Sequence, residues 1–224
     1  MPKGSVSSRP HETEPRVRRG YFECRYGQLH VHNAIPPGGG FEEATAVLCL
    51  HPAGSSGRAF KGLLPQLGRD RSVYAPDLPG SGESDGPPTR ASAVELAAAI
   101  GDFLDSMRFR QIDVLGYQQG SLIASELAID RPQQVRRVVL VGVPPTTEGE
   151  RLRQIGQPVF VIRVKDDLWE STPRAREFLP RARALDLPQV GSNLFETTSD
   201  VVVGPIREFL GNQGPPAPID SLAR

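Results

Sequence analysis

The segment Gly116-Tyr117-Gln118-Gln119-Gly120 is where this sequence comes nearest to catalysis. It follows a strand-like run, Ile112-Asp113-Val114-Leu115, and precedes a helical stretch that starts near Ser121. A glycine-x-serine-x-glycine pattern in that setting forms a strained strand-to-helix turn, whose small flanking residues let the backbone fold tightly around an exposed nucleophile. Here Gln118 occupies the tip. An amide donates and accepts hydrogen bonds, but it has no group that a base could deprotonate near neutral pH.

The chain has four histidines, His11, His30, His32 and His51, all in its first quarter. His51 ends a strand-like run and is read as tying down the loop that follows it rather than as a catalytic base. His30 and His32 alternate on a strand near a sheet edge and so share a face, yet no spacing suggests a third ligand. A structural or surface role is expected for them, and no metal site. Ser121 is read as a small residue at a helix–sheet contact, and Ser55 and Ser56 as turn residues.

These residues need elements to hold them. Short apolar runs at 21–25, 29–33, 46–50, 72–75, 112–115, 135–141 and 159–164 predict strands, and helical patterns fall at 59–67, 91–107, 121–128, 173–178 and 200–210. Two antiparallel strands around Tyr26-Gly27, then alternation of strand and helix, predict an α/β fold: a mainly parallel sheet with helices on both faces. Residues 1–18 and 212–224 show no apolar periodicity and are read as flexible tails around one domain, 19–211.

Composition narrows the function classes. A formal net charge of zero leaves no electrostatic footprint for nucleic acid or an anionic membrane, so neither is expected as a partner. No run approaches the roughly 18 apolar residues of a membrane span. Residues 1–19 are polar and lack the apolar core of a signal peptide, and Cys24 and Cys49 both sit in strand-like runs. A cytoplasmic location is therefore expected.

With the strands placed, the chain resembles the α/β-hydrolase superfamily over about residues 19–210. Leu48-Cys49-Leu50-His51-Pro52-Ala53-Gly54 is similar to the family's strand and oxyanion loop. Ala75 to Ser84 is similar to its D-x-x-G-x-G-x-S turn, and Pro158 to Asp167 to the strand that ends in the catalytic acid. The resemblance puts Asp167 at the acid position, with adjacent Asp166 as the other carboxylate that could face the site. It puts Gly191-Ser192 where the family has a glycine–histidine pair. The nucleophile, acid and base positions thus read Gln118, Asp167 and Ser192. Only about fifteen residues, 144–158, stand where the family commonly inserts a helical cap, which implies a minimal or absent cap.

The resemblance also implies an oxyanion hole made by the backbone N–H groups of Ala53 and Gln119. A small carbonyl or carboxylate ligand fits such a pair, unless the Gln118 side chain fills the space. His51, Tyr117, Asp166 and Trp169 complete the candidate ligand-binding set, and nothing implies a cofactor. Loss of serine or histidine from a triad costs on the order of a million-fold in rate, or ~8 kcal/mol. Three readings follow. The first is a non-hydrolytic pseudoenzyme that binds a small molecule or a protein partner, a second copy included. The second is an enzyme of another type, such as a lyase, isomerase or decarboxylase. The third is a hydrolase with relocated residues, and the missing downstream histidine argues against it.

Overall fold

The computed structural model describes residues 14–37, 44–145, 149–196 and 200–211. Among these residues eight strands form one sheet in the order β1-β2-β4-β3-β5-β6-β7-β8. The strands are β1 (Arg16–Cys24), β2 (Gly27–Ile35), β3 (Val47–Leu50), β4 (Val73–Pro76), β5 (Ile112–Tyr117), β6 (Val135–Val141), β7 (Val159–Lys165) and β8 (Arg183–Gly191). β1 and β2 form an antiparallel hairpin and β2 pairs antiparallel to β4, while all pairings from β4 through β8 are parallel. Gly27, at φ 109°, closes the hairpin in a conformation that favours glycine.

Five helices pack with these strands among the described residues: α1 (Leu63–Leu67), α2 (Ala93–Ser106), α3 (Gln119–Asp130), α4 (Thr172–Glu177) and α5 (Asp200–Gly211). α2 starts where its sequence demands. Ser92 and Glu95 form a capping box, each side chain accepting from the other residue's backbone N–H.

The central strands are apolar on both faces because both are covered. Leu48, Leu50, Val114, Val138, Leu140, Val159 and Val161 pack with Ile100, Phe103, Ile123 and Leu127 on the α2/α3 side. Their alternates, Val47, Cys49, Leu115, Val139, Val141, Phe160 and Ile162, pack with Leu63, Leu64, Val202, Ile206 and Phe209 on the α1/α5 side. This is the predicted layered α/β architecture. The link from β6 to β7 carries one short 3-10 turn, Gly149–Gln154, and no larger cap element among its described residues.

Two features differ from the sequence reading. β1 begins at Arg16, inside the stretch assigned to the N-terminal tail, because its hairpin register runs out to the Arg16↔Ile35 pair. Backbone pairing with β2 needs no apolar pattern, so four exposed residues at its start join the sheet without one. The stretch 183–191 forms edge strand β8. Four of its residues are half-buried and Pro188 interrupts it, which blunts the alternation that marks a strand. Residues 1–13 and 212–224 of the predicted tails lie outside the described residues.

Candidate functional site

The turn from β5 to α3 is a strained elbow. Gln118 has φ 50° and ψ −114°, a left-handed backbone that a residue with a Cβ adopts only under constraint. Its N–H donates to the Val141 carbonyl at 2.8 Å and its carbonyl accepts from the Ser121 N–H at 2.8 Å. The glycines on either side have no room for a side chain. A Cβ on Gly116 would lie 2.3 Å from the Gly120 carbonyl oxygen, and one on Gly120 would lie 2.0 Å from that of Leu50. Ser121 is fully buried, and its hydroxyl donates to the carbonyls of Gly116 and Val141, so it fastens the elbow as well as packing against the sheet.

The Gln118 side chain turns toward the end of β7. Its Nε2 donates to Asp166 Oδ2 at 3.0 Å. Asp166 is half-buried in a tight turn where its other oxygen accepts from the Leu168 N–H at 3.0 Å. Gly142, at φ 59°, lies beneath the pair, and a Cβ there would come within 2.8 Å of Asp166 Oδ2. Of the two adjacent carboxylates, Asp166 therefore reaches the elbow tip, while Asp167 is exposed.

The third position is occupied differently. Ser192 is exposed, and its carbonyl oxygen accepts a hydrogen bond from the Tyr117 hydroxyl. Tyr117 is buried and packs edge-on against Phe195 with ring centroids 5.6 Å apart. Burial pushes the Tyr117 pKa up, and Asp166 and Asp167 add to the shift, so the phenol stays a protonated donor. Trp169 lies to one side, with the Arg163 guanidinium 3.7 Å from its ring centroid.

On the other side of the elbow a cavity of about 570 Å3 opens between the loop after β3, the loop after β4, and the starts of α2 and α3. Ala53, Gln119 and His51 line it, with Leu78, Leu96, Leu122 and Ile123 as its apolar wall and Arg90 among its polar groups. Gln118, Tyr117, Asp166 and Trp169 are not among its lining residues. The structure thus divides the predicted set in two. One group surrounds the cavity, and the other forms the Gln118–Asp166 and Tyr117–Ser192 pairs. The first N–H groups of a helix have no partner inside it, so the Gln119 end of α3 offers donors at the cavity. Arg90, Leu96 and Leu122 escaped the sequence reading because a cavity wall assembled from two loops and two helices has no periodicity.

His51 is fully buried and used twice. Its Nε2 accepts from the Leu78 N–H at 2.8 Å, which leaves Nδ1 as donor to the Pro52 carbonyl at 2.8 Å. Burial pushes its pKa down, so it stays neutral and pins the two loops bordering the cavity.

His30 and His32 do have a third companion, which spacing did not reveal. Asp77, just after β4, lies against them, and the three potential ligand atoms are within 4.8 Å of one another. Asp77 is a hydrogen-bond hub. One oxygen accepts from the Gly57 N–H at 2.7 Å, and the other lies 2.9 Å from both the Glu83 N–H and His30 Nδ1. His32 Nε2 lies 3.8 Å from Asp77 Oδ1 and has no hydrogen-bond partner among the described residues. With its oxygens already shared, Asp77 serves to fasten the turn after β4. Ser56 accepts from the Arg58 N–H and caps a 3-10 turn, and neither it nor Ser55 lines the cavity.

A sheet of this order, a strained strand-to-helix elbow and a loop meeting it from the adjacent strand define the alpha/beta hydrolase fold, and the sequence matches the model of that family over residues 45–191. The chain belongs to this family. Among curated proteins it is 38% identical over 95 residues to a 2-hydroxymuconate semialdehyde hydrolase of Pseudomonas sp., a stretch covering 39% of this chain and 32% of that one. It is 30% identical over 103 residues to an uncharacterized protein of Mycobacterium tuberculosis, covering 46% of this chain and 30% of the relative. The matches therefore span about a third of the length of these relatives. Among solved structures, a predicted CIB-like hydrolase from Thermoplasma acidophilum superposes with a TM-score of 0.78 at 14% identity, covering 88% of this chain and 98% of that one. Naproxen esterase from Bacillus subtilis superposes with a TM-score of 0.76 at 16% identity, covering 87% and 92%. At such identities the likeness is one of fold.

Proposed function

We propose that this protein is a non-hydrolytic member of the family which binds a small carbonyl or carboxylate compound in the cavity beside the elbow. The observation that carries this reading is the state of Gln118. The backbone strain that presents a nucleophile is kept, while the side chain at the tip has no nucleophilic atom and is hydrogen-bonded to Asp166. Strain of this kind costs of order 1–3 kcal/mol and concentrates at functional sites, so its retention favours a working site over a decayed one. Ala53 and Gln119 remain at the cavity, where their N–H groups suit a polarised oxygen, and the leucine wall suits a short apolar tail.

The cavity favours a small ligand over a protein partner. The exposed large apolar side chains among the described residues are Val17, Tyr21, Val94 and Val201, spread over β1, α2 and α5 rather than gathered in one patch. The relatives' printed names include a hydrolase and an esterase, but hydrolysis by that route needs a nucleophile that Gln118 does not supply. A second reading, an enzyme of another reaction type such as a lyase, isomerase or decarboxylase, is favoured by one observation. The Gln118 amide and Asp166 carboxylate form a positioned donor–acceptor pair at the elbow tip.

The test pairs turnover with binding. A small activated ester is offered to the parent protein and to Gln118→Ala, and a series of short-chain carboxylates is titrated calorimetrically into the parent and into Leu122→Trp, which narrows the cavity. The expected result is no turnover above the buffer blank, with saturable carboxylate binding that Leu122→Trp weakens. Ester turnover abolished by Gln118→Ala overturns the non-hydrolytic reading, and absence of any carboxylate binding overturns the ligand.

A further inference from the structure

At the opposite end of the sheet from the elbow, arginines gather faster than carboxylates. The in-register pair Asp113↔Arg137 on β5 and β6 shares a face with Leu115, Tyr117, Val139 and Val141, the α1/α5 side. Counting back two residues from buried Val73 puts Arg71 on that same face, next to the start of β4. Arg136 reaches round to Asp113, with Nε 2.9 Å from Oδ1, and its NH2 donates to the Leu210 carbonyl at 2.9 Å. Arg71 and Arg207 share Asp70.

The charges do not balance. Arg71, Arg136, Arg137 and Arg207 face Asp70 and Asp113, four cations to two anions among the described residues. Arg137 is only 6% exposed and has no ion pair among the described residues, its single hydrogen bond going to the Leu210 carbonyl at 3.3 Å. Arg71 is 3% exposed, and its NH1 has no hydrogen-bond partner among the described residues. Burial and the neighbouring Arg136 push the Arg137 pKa down. A buried guanidinium with unused donors is costly unless something negative satisfies it. Beside it is room for that partner: a pocket of about 360 Å3 lined by Thr45, Gln111, Arg136, Arg137 and Pro158.

We infer that this basal pocket binds a phosphate-like oxyanion, with Arg137 as its principal ligand, Arg136 beside it, and Thr45 and Gln111 as neutral donors. Charge-assisted bonds from guanidinium to such an ion are the strong class of hydrogen bond, and the planar fork of Arg137 suits two oxygens at once. The site is separate from the elbow cavity and does not depend on what that cavity binds.

The test is titration of inorganic phosphate into the full-length parent protein, with chloride at matched ionic strength as the control. The expected result is saturable phosphate binding, a rise in the thermal midpoint in phosphate that chloride does not reproduce, and affinity weakened about tenfold or more in Arg137→Gln. Arg110→Gln, which removes an arginine from a different surface pocket, leaves the binding unchanged. Should Arg137→Gln fail to fold, the parent's phosphate-against-chloride comparison still decides. Equal midpoints in the two salts, or equal phosphate affinity in the parent and Arg137→Gln, overturn the proposal.

Discussion

The hydroxyl of Tyr117 donates to the carbonyl oxygen of Ser192, a residue 75 positions later in the chain. The residue before the elbow tip is thereby joined to the loop where the resembling family carries its histidine. That loop is held by a backbone contact, so Ser192 is free to differ in side chain without loosening it.

Tyr117→Phe should therefore destabilise the protein by about 1 kcal/mol, the net worth of one hydrogen bond. For a domain of this size that is a fall of about 2–4 °C in thermal midpoint, read by calorimetry. The effect stays modest because Ser192 is exposed and water replaces the lost donor. No change in midpoint would mean that the bond contributes nothing to holding the loop.

Restoring the nucleophile alone should not restore hydrolysis. Gln118→Ser places a hydroxyl at the strained tip and leaves it without a base, since His51 holds both ring nitrogens in loop contacts. Turnover of an activated ester should remain at the blank for Gln118→Ser and rise measurably in Gln118→Ser/Ser192→His, where Asp166 can orient the new imidazole. Efficient turnover by the single variant would contradict this account of the missing base.

Gly120→Ala should be far more damaging than its one methyl suggests. The added carbon meets the Leu50 carbonyl oxygen at 2.0 Å, a backbone atom within the central sheet that cannot swing aside. A loss of about 3 kcal/mol or more is expected, at the upper end of overpacking. Denaturant midpoints compared with the parent's measure it, and a near-parent midpoint would show that α3 can slide off β3 at little cost.

Stability should fall in acid from about pH 6.5 downward. Burial pushes the pKa values of His51 and His32 below the ordinary 6.5. Below that value the unfolded chain takes up protons that the folded protein refuses, so unfolding gains. Asp77 extends the loss. Burial works to raise its pKa, but hydrogen bonds from the Glu83 N–H, His30 and the Gly57 N–H hold it below 3.8 overall. Its contribution is present above 3.8 and is lost as the pH drops through the folded value. Urea midpoints taken between about pH 7 and 5 test the histidine part. A flat profile there would contradict neutral buried imidazoles.

Much of the fold was legible in the sequence. The apolar runs of β3, β5, β6 and β7 are buried on both faces, and such runs separated by helical patterns leave a covered parallel sheet as the consistent arrangement. Gly116 and Gly120 around Gln118, set between a strand-like run and a helical stretch, announced the elbow through their likeness to the glycine-x-serine-x-glycine pattern. Edge strand β8 was hidden, since an edge has one neighbour and its solvent side sets no hydrophobic pattern.

Only the tertiary structure decided between Asp166 and Asp167. Both are one residue from either choice in sequence, and the outcome depends on a turn after β7 that brings Asp166 over Gly142 at the end of β6. The same holds for Asp77 beside His30 and His32, for the cavity between the β3 and β4 loops, and for Arg71 and Arg137 at the base of the sheet. Local pattern reports which face of an element is apolar. Which side chains meet across elements is set by strand order and register, and these come from the packing of the whole chain.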